Sequence, residues 1–293
     1  SCFSFLEGAS HPEELVARAA ELGLSALALA DVNGLYGIVR AHGEAKRRGL
    51  PLVVGAELAV GGLEMGRPTR VVLLARDREG YANLCRLATL AHSGEGWAEA
   101  PPRRAKEDVR IAADDLRARS GGLFALYPGA DGDAAARLRE AFGPRLALAV
   151  ARHRIAGEEA RILAARAVGR RLGIPVAVTN DVHTHARARQ RLQDVLTCVR
   201  LGTTVERAGR RLFPNAERTL LGPEEMARLW SDFPEGLEAA AAVADACRFR
   251  MEEIRGEHPL PPVAVDPAAI AGGTAVALSS PGQSAREVAE APS

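Results

Sequence analysis

Residues 26–37, ALALADVNGLYG, carry the decision about fold. The apolar run ends on Asp31, and Asn33-Gly34 then turn the chain. A run that is apolar on both sides, rather than alternating, fits a strand buried on both faces, as in parallel sheets covered by helices. In such sheets the crevice beyond the carboxyl ends of the strands collects the chemistry. Asp31 therefore stands where a metal ligand or catalytic carboxylate belongs, yet its neighbour Val32 can be neither.

Working outward, the same alternation recurs. Upstream, GASHPEELVARAAELG reads as a helix, with Ser10 as N-cap, Glu13 completing a capping box, Pro12 in the first turn and Gly23 as the stop. Leu15, Val16, Ala19, Ala20 and Leu22 form its apolar face. Downstream, the strands LPLVVGAEL, TRVVLLA, GLFALY, RLALAVA and IPVAVT are separated by helical stretches such as REGYANLCRLATLAH, DAAARLREAFG and GEEARILAARAVGRRLG. Repeated strand–helix units of this kind predict a parallel sheet closed or covered by helices, close to a barrel. After Ala186 the pattern is mostly helical, and from Val263 it gives way to Ala, Gly, Ser and Pro, read as a disordered tail.

Composition limits the function classes. In 293 residues, 47% are hydrophobic and 26% charged, enough for a sizeable core, while aromatics at 4% leave Ala, Leu and Val to fill it. The 38 basic and 37 acidic side chains nearly cancel, so there is no global nucleic-acid signature. Cys2, Cys85, Cys198 and Cys247 are widely spaced and read as reduced thiols of a cytoplasmic protein. No apolar run approaches the roughly 20 residues of a membrane helix. The chain opens at Ser1 with neither a Met nor a leader pattern, and is read as a piece of something longer.

The strongest chemical signal is VTNDVHTHA, residues 178–186, which sets Asp181, His183 and His185 just past an apolar strand. Asp and His two apart in an extended segment share a side and could share a cation. The alternative is a loop in which Asp181 caps the next helix and the histidines face solvent. Glu57, following PLVVGA, is the second candidate. Asp131 and Asp133 in DGD read as a helix cap, His153 as a surface-loop residue, and PPRRAK and RRLF as solvated charge. Phosphate-binding glycine loops and a nucleophile elbow are absent, which removes nucleotide-cofactor and serine-hydrolase readings.

Three blocks, residues 1–58 (SCFSFLEG…GAEL), 73–91 (LLARDREGYANLCRLATLA) and 180–230 (NDVHTHARARQ…MARLW), together resemble one family. They are similar to the PHP (polymerase and histidinol phosphatase) domain of bacterial C-family error-prone DNA polymerases, paralogues of the DNA polymerase III alpha subunit. The resemblance runs to about residue 262. It implies a distorted, mostly parallel seven-stranded β/α (TIM-like) PHP barrel over residues 1–200 and a mostly helical extension over 201–262 leading toward the polymerase palm; the tail read from composition, 263–293, lies outside it.

Active family members hold up to three metal ions for phosphoester hydrolysis. Carried over by resemblance, Glu57, Asp181 and His183 match ligands, and Glu7 stands in for a shorter Asp. Asp31, Val32 and Arg70 form a vestigial part of the site. Val32 replaces a ligand His, Arg70 brings a positive charge to a cation site, and Tyr127 or Pro128 stands where a Cys or His is expected. The family's His-x-His would fall just before Ser1. The expectation is a degenerate, non-catalytic site with no cofactor; the rival is zinc or manganese at a residual site, serving a phosphoesterase or 3′–5′ exonuclease. The implied partners are the rest of the polymerase with its palm, DNA, a sliding clamp and accessory mutagenesis proteins, in damage-induced translesion synthesis.

Overall fold

The computed structural model describes residues 1–66, 68–93 and 109–254. The tail from Val263 and the PPRRAK cluster lie outside the described residues. Among the described residues seven strands form one sheet: β1 (Leu27–Val32), β2 (Leu52–Gly61), β3 (Thr69–Ala75), β4 (Ile111–Ala112), β5 (Leu123–Tyr127), β6 (Leu146–Val150) and β7 (Val176–Val178). The order is β1-β2-β3-β5-β6-β7, with the two-residue β4 attached to β2. The sheet curls and is surrounded by α1 (Pro12–Glu21), α2 (Ile38–Arg48), α3 (Arg78–Ser93), α4 (Ala113–Ala118), α5 (Gly132–Phe142) and α6 (Glu158–Leu172). Four helices follow: α7 (Gln190–Leu201), α8 (Val205–Ala208), α9 (Pro223–Leu229) and α10 (Pro234–Ala246).

The strands are mainly apolar because both faces are covered. On one face Leu58, Val71, Leu73, Tyr127, Leu148 and Val178 meet Leu84 and Leu87 of α3 and Leu138 and Phe142 of α5. On the other, Val53, Leu74, Phe124, Ala147 and Ala177 meet Val243 and Cys247. Helix α10 approaches β7 closely because Gly236 has no side chain; a Cβ there would lie 2.6 Å from a Val178 methyl carbon. Helices α1 and α2 bury Leu15, Val16, Ile38 and Ala41 against Leu29 and Val54.

Two expectations need correction. The sheet is not all parallel, since β3 runs antiparallel to both β2 and β5. Only residues 62–68 join β2 to β3, too few for the crossover that parallel neighbours need, so the pair closes as a hairpin. The reversal carries Arg70, at the start of β3, to the same rim as the carboxyl ends of the parallel strands. The cap of α1 is also shifted by one residue. His11 is the N-cap, its N–H donating to Glu14 Oε2 at 2.9 Å, while Glu13 pairs with Arg40. Ser10 is drawn away to His185, whose backbone N–H donates to Ser10 Oγ at 2.8 Å.

Among the described residues β7 makes no ladder with β1. The seam between them is stitched by loops: Ala9 N–H donates to the His183 carbonyl and His183 N–H to the Arg218 carbonyl, each at 2.9 Å, and Thr184 bridges to Thr219. Gly23 and Gly49 close α1 and α2 with φ of +72° and +66°, and Asp131 caps α5 by accepting from the backbone N–H of Asp133 and Ala134 at 3.0 and 2.8 Å. No disulfide forms among the four cysteines, and no helix among the described residues is long and apolar enough to cross a membrane.

Candidate functional site

Glu57 is opposite Val32 on one side of β2 and opposite Val72 on the other, and Arg70 is two residues from Val72 on the same strand face. Glu57 and Arg70 are thus diagonal neighbours. Arg70 Nη1 donates to Glu57 Oε1 at 2.7 Å and to Glu7 Oε2 at 2.9 Å, and Nη2 donates to Glu7 Oε1 at 3.2 Å. One guanidinium therefore clamps two largely covered carboxylates, one from the sheet and one from the N-terminal loop. The hydrogen bonds it donates to Glu7, helped by both negative charges against the cost of burial, push Arg70 well above its usual range. Burial raises Glu57, reinforced by Asp181 and Glu7 and opposed by Arg70.

Past β7, Asp181 adopts a left-handed backbone, φ +41°. Its carboxylate pairs with Arg218 and lies 3.6 Å from His183 Nε2. Desolvation opposes ionisation there, but the bond to His183 and the charge of Arg218 outweigh it, holding Asp181 well below the usual carboxylate range. His183 Nδ1 lies 2.5 Å from the Glu7 carbonyl, which can only accept, so the ring donates from Nδ1. Phe213 supports both partners: its ring is edge-on to His183 at 5.0 Å, and the Arg218 guanidinium lies over it at 4.5 Å.

The site residues named by sequence divide into those brought together and those held apart. Glu7, Glu57 and Arg70 form one cluster, and Asp181 and His183 a second whose charge reaches Glu57. Asp31 is buried away from both, accepting from the Ser1 backbone nitrogen at 2.7 Å, Ser1 Oγ at 2.8 Å and Ser4 Oγ at 2.9 Å. Ser4 Oγ in turn accepts from Val32 N–H at 3.0 Å. Tyr127 is buried and donates to Glu64 Oε1 at 2.8 Å. His185 turns toward Ser10 and Glu14.

His153 is not the surface residue expected. It is buried, with Nδ1 3.1 Å from Glu158 Oε1 and Nε2 2.9 Å from the Asn180 carbonyl, and the Asn215 amide donates to the His153 carbonyl at 2.6 Å. The chain around 213–219 folds back over it, which no local pattern announces. Ser4, Arg218 and Phe213 were likewise missed, because nothing in their immediate sequence marks them as partners of Asp31 and Asp181. Among the described residues, no group of three or more His, Cys, Asp or Glu is arranged to hold a metal ion.

A curled, mostly parallel α/β sheet with acidic and histidine side chains gathered at its carboxyl rim defines a class of β/α domain. The chain belongs to the PHP domain family, whose profile matches residues 1–167. It is similar to an error-prone DNA polymerase of Anaeromyxobacter dehalogenans, 78% identical over 287 residues, covering 98% of this chain and 25% of that protein. An error-prone DNA polymerase of Methylococcus capsulatus is 41% identical over 266 residues, covering 88% and 24%. An amidohydrolase from Chromobacterium violaceum aligns with a TM-score of 0.41 and 19% identity, over 60% of this chain and 84% of that one. The chain spans about a quarter of the length of the curated relatives it matches.

Proposed function

We propose that this chain is the PHP module of an error-prone DNA polymerase acting in damage-induced translesion synthesis, and that its rim is a degenerate metal site with a structural role. Relatives of that name, 78% and 41% identical, support the first part. Nucleotidyl transfer then belongs to the palm in the remainder of the longer protein, and DNA, the sliding clamp and accessory mutagenesis proteins are met by that whole, in the cytoplasm. In this reading residues 1–200 are the PHP body and 201–262 the extension that leads to the palm.

One observation carries the second part: the Arg70 guanidinium bonds Glu7 and Glu57 together. The donor set does not fit the metal cluster of an active family member. Three carboxylates already face guanidinium groups, and a metal ion entering beside them meets the positive charges of Arg70 and Arg218. Val32 offers no donor atom, so the histidine ligand that the family's metal cluster takes at that position is missing. In this reading two arginines neutralise the carboxylates that metal ions neutralise elsewhere in the family. The orientation of His183, with Nδ1 fixed by a carbonyl and Nε2 directed at Asp181, is the feature that favours the rival, a phosphoesterase or 3′–5′ exonuclease with zinc or manganese.

Elemental analysis of protein purified without chelators, with assays on single-stranded DNA and a chromogenic phosphodiester, separates the two. The expected outcome is less than one metal per chain and no hydrolysis. Two or more metals, with hydrolysis abolished by Asp181→Ala, would overturn the structural reading. Primer extension by the chain alone is expected to be absent as well.

A further inference from the structure

Helix α7 leaves apolar side chains in water. Its covered face carries the polar Gln193 and Thr197, at 1% and 4% exposure, beside the buried Cys198, whereas Leu192, Val195 and Val199 stand 40%, 48% and 61% exposed. Those three positions, at i, i+3 and i+7, lie on one face. Val205, on the short helix α8 packed against α7, is a further exposed apolar side chain. An ordinary surface helix carries the opposite pattern, and a contiguous apolar stripe left in water marks an interaction surface. The stripe is edged by Arg191 and Arg200, both exposed and neither paired with a carboxylate among the described residues.

We propose that this face of α7 docks an amphipathic helix with acidic flanks, supplied by the remainder of the longer polymerase. The inference rests on the polymerase reading above. A narrow apolar ridge on a single helix is read by the apolar stripe of a second helix, and the two arginines call for carboxylates beside that stripe. The occupant is assigned to the same polypeptide because the relatives are about four times the length of this chain, and a module of that share needs a surface against the rest. A second copy fits poorly, since pairing α7 with itself gathers four arginines. Nucleic acid fits poorly too, because α7 has an apolar centre and no aromatic ring for base stacking.

Hydrogen exchange over α7 tests this in two proteins: the isolated 293-residue chain, and a full-length polymerase carrying this chain in place of the matching quarter of the A. dehalogenans relative. Exchange over α7 is expected to slow by about tenfold in the polymerase and to return toward the isolated rate in V199E and in R200E. Both side chains are exposed, so thermal melting of the isolated variants should match the parent. Protection of other surfaces with α7 unchanged overturns the docking face and leaves the polymerase reading standing. No protection anywhere on the module, in a polymerase that extends primers, overturns both. A dimer of the isolated chain in sedimentation, lost in V199E, reassigns the face to a second copy and overturns the proposal. If the spliced protein does not fold, the unaltered A. dehalogenans polymerase and its matching quarter supply the same comparison at the helix aligned with α7.

Discussion

The two guanidinium clamps of the rim are built from the same chemistry and differ in almost everything else. Arg70 sits on a strand, reaches a strand neighbour and the N-terminal loop, and holds two carboxylates that are each less than one-fifth exposed. Arg218 comes from a loop 37 residues beyond its partner, rests on Phe213, and holds one carboxylate that keeps about half its surface in water. An ion pair lacking solvent is costly to break from one side, because the abandoned charge stays covered. An exposed pair can be rescued by water. The Arg70 clamp should therefore bear on stability, and the Arg218 clamp mainly on the shape of the loop after β7.

The largest expected effect is that of Arg70→Ala. Removing the guanidinium that Glu7 and Glu57 share should lower stability by roughly 2 kcal/mol at pH 7 in urea titrations. The loss should shrink on acidification. Burial already raises Glu57, and without the opposing charge of Arg70 it titrates further above its unfolded value, so the folded form is favoured at low pH and penalised as pH rises through the raised value. A loss below about 0.5 kcal/mol, or one independent of pH, would break the contrast between the clamps.

Arg218→Ala should cost less, about 1 kcal/mol or below. Its signature lies in acid. Asp181 is held below its ordinary value of 3.8, so its contribution is present above that pH and disappears as pH falls through the lowered folded value. Removing Arg218 brings the folded and unfolded values closer together and flattens the acid limb of stability against pH. An unchanged limb between about pH 2 and 5 would show that His183 alone sets the titration of Asp181.

The smallest effect is the coupling between them. Asp181 and Glu57 repel each other, so removing both arginines should cost more than the sum of the single changes, by roughly 0.5 kcal/mol in a double-mutant cycle. Strict additivity would make the clamps two independent sites.

How far the sequence revealed this rim follows from where each partner lies. Strands and helices were legible because apolar runs and 3.6-residue periodicity are local, and β3 and α3 fall almost where TRVVLLA and REGYANLCRLATLAH placed them. The direction of β3 was legible too, in the shortness of residues 62–68, and was passed over in favour of the repeating pattern. Glu7, Glu57 and Arg70 do meet, although only the family resemblance brought them onto one list. Arg218, Phe213 and the burial of His153 were not legible, because they depend on a returning segment whose landing point no periodicity records. Ser10 shows the same limit: a good cap by pattern, it is taken by His185 instead.

The stitched seam between β7 and β1 also sets a timetable. Ala9, His183 and Arg218 are joined in series by backbone hydrogen bonds, so the stitch cannot be completed on a ribosome until the chain has emerged past residue 218. Every contact across it spans a long stretch of sequence, the kind that slows folding. Until then Glu7 can already meet Arg70, while Asp181 waits for its counter-charge. A nascent chain stalled short of residue 218 would lack that seal, leaving the β1 and β7 edges as templates for mispairing.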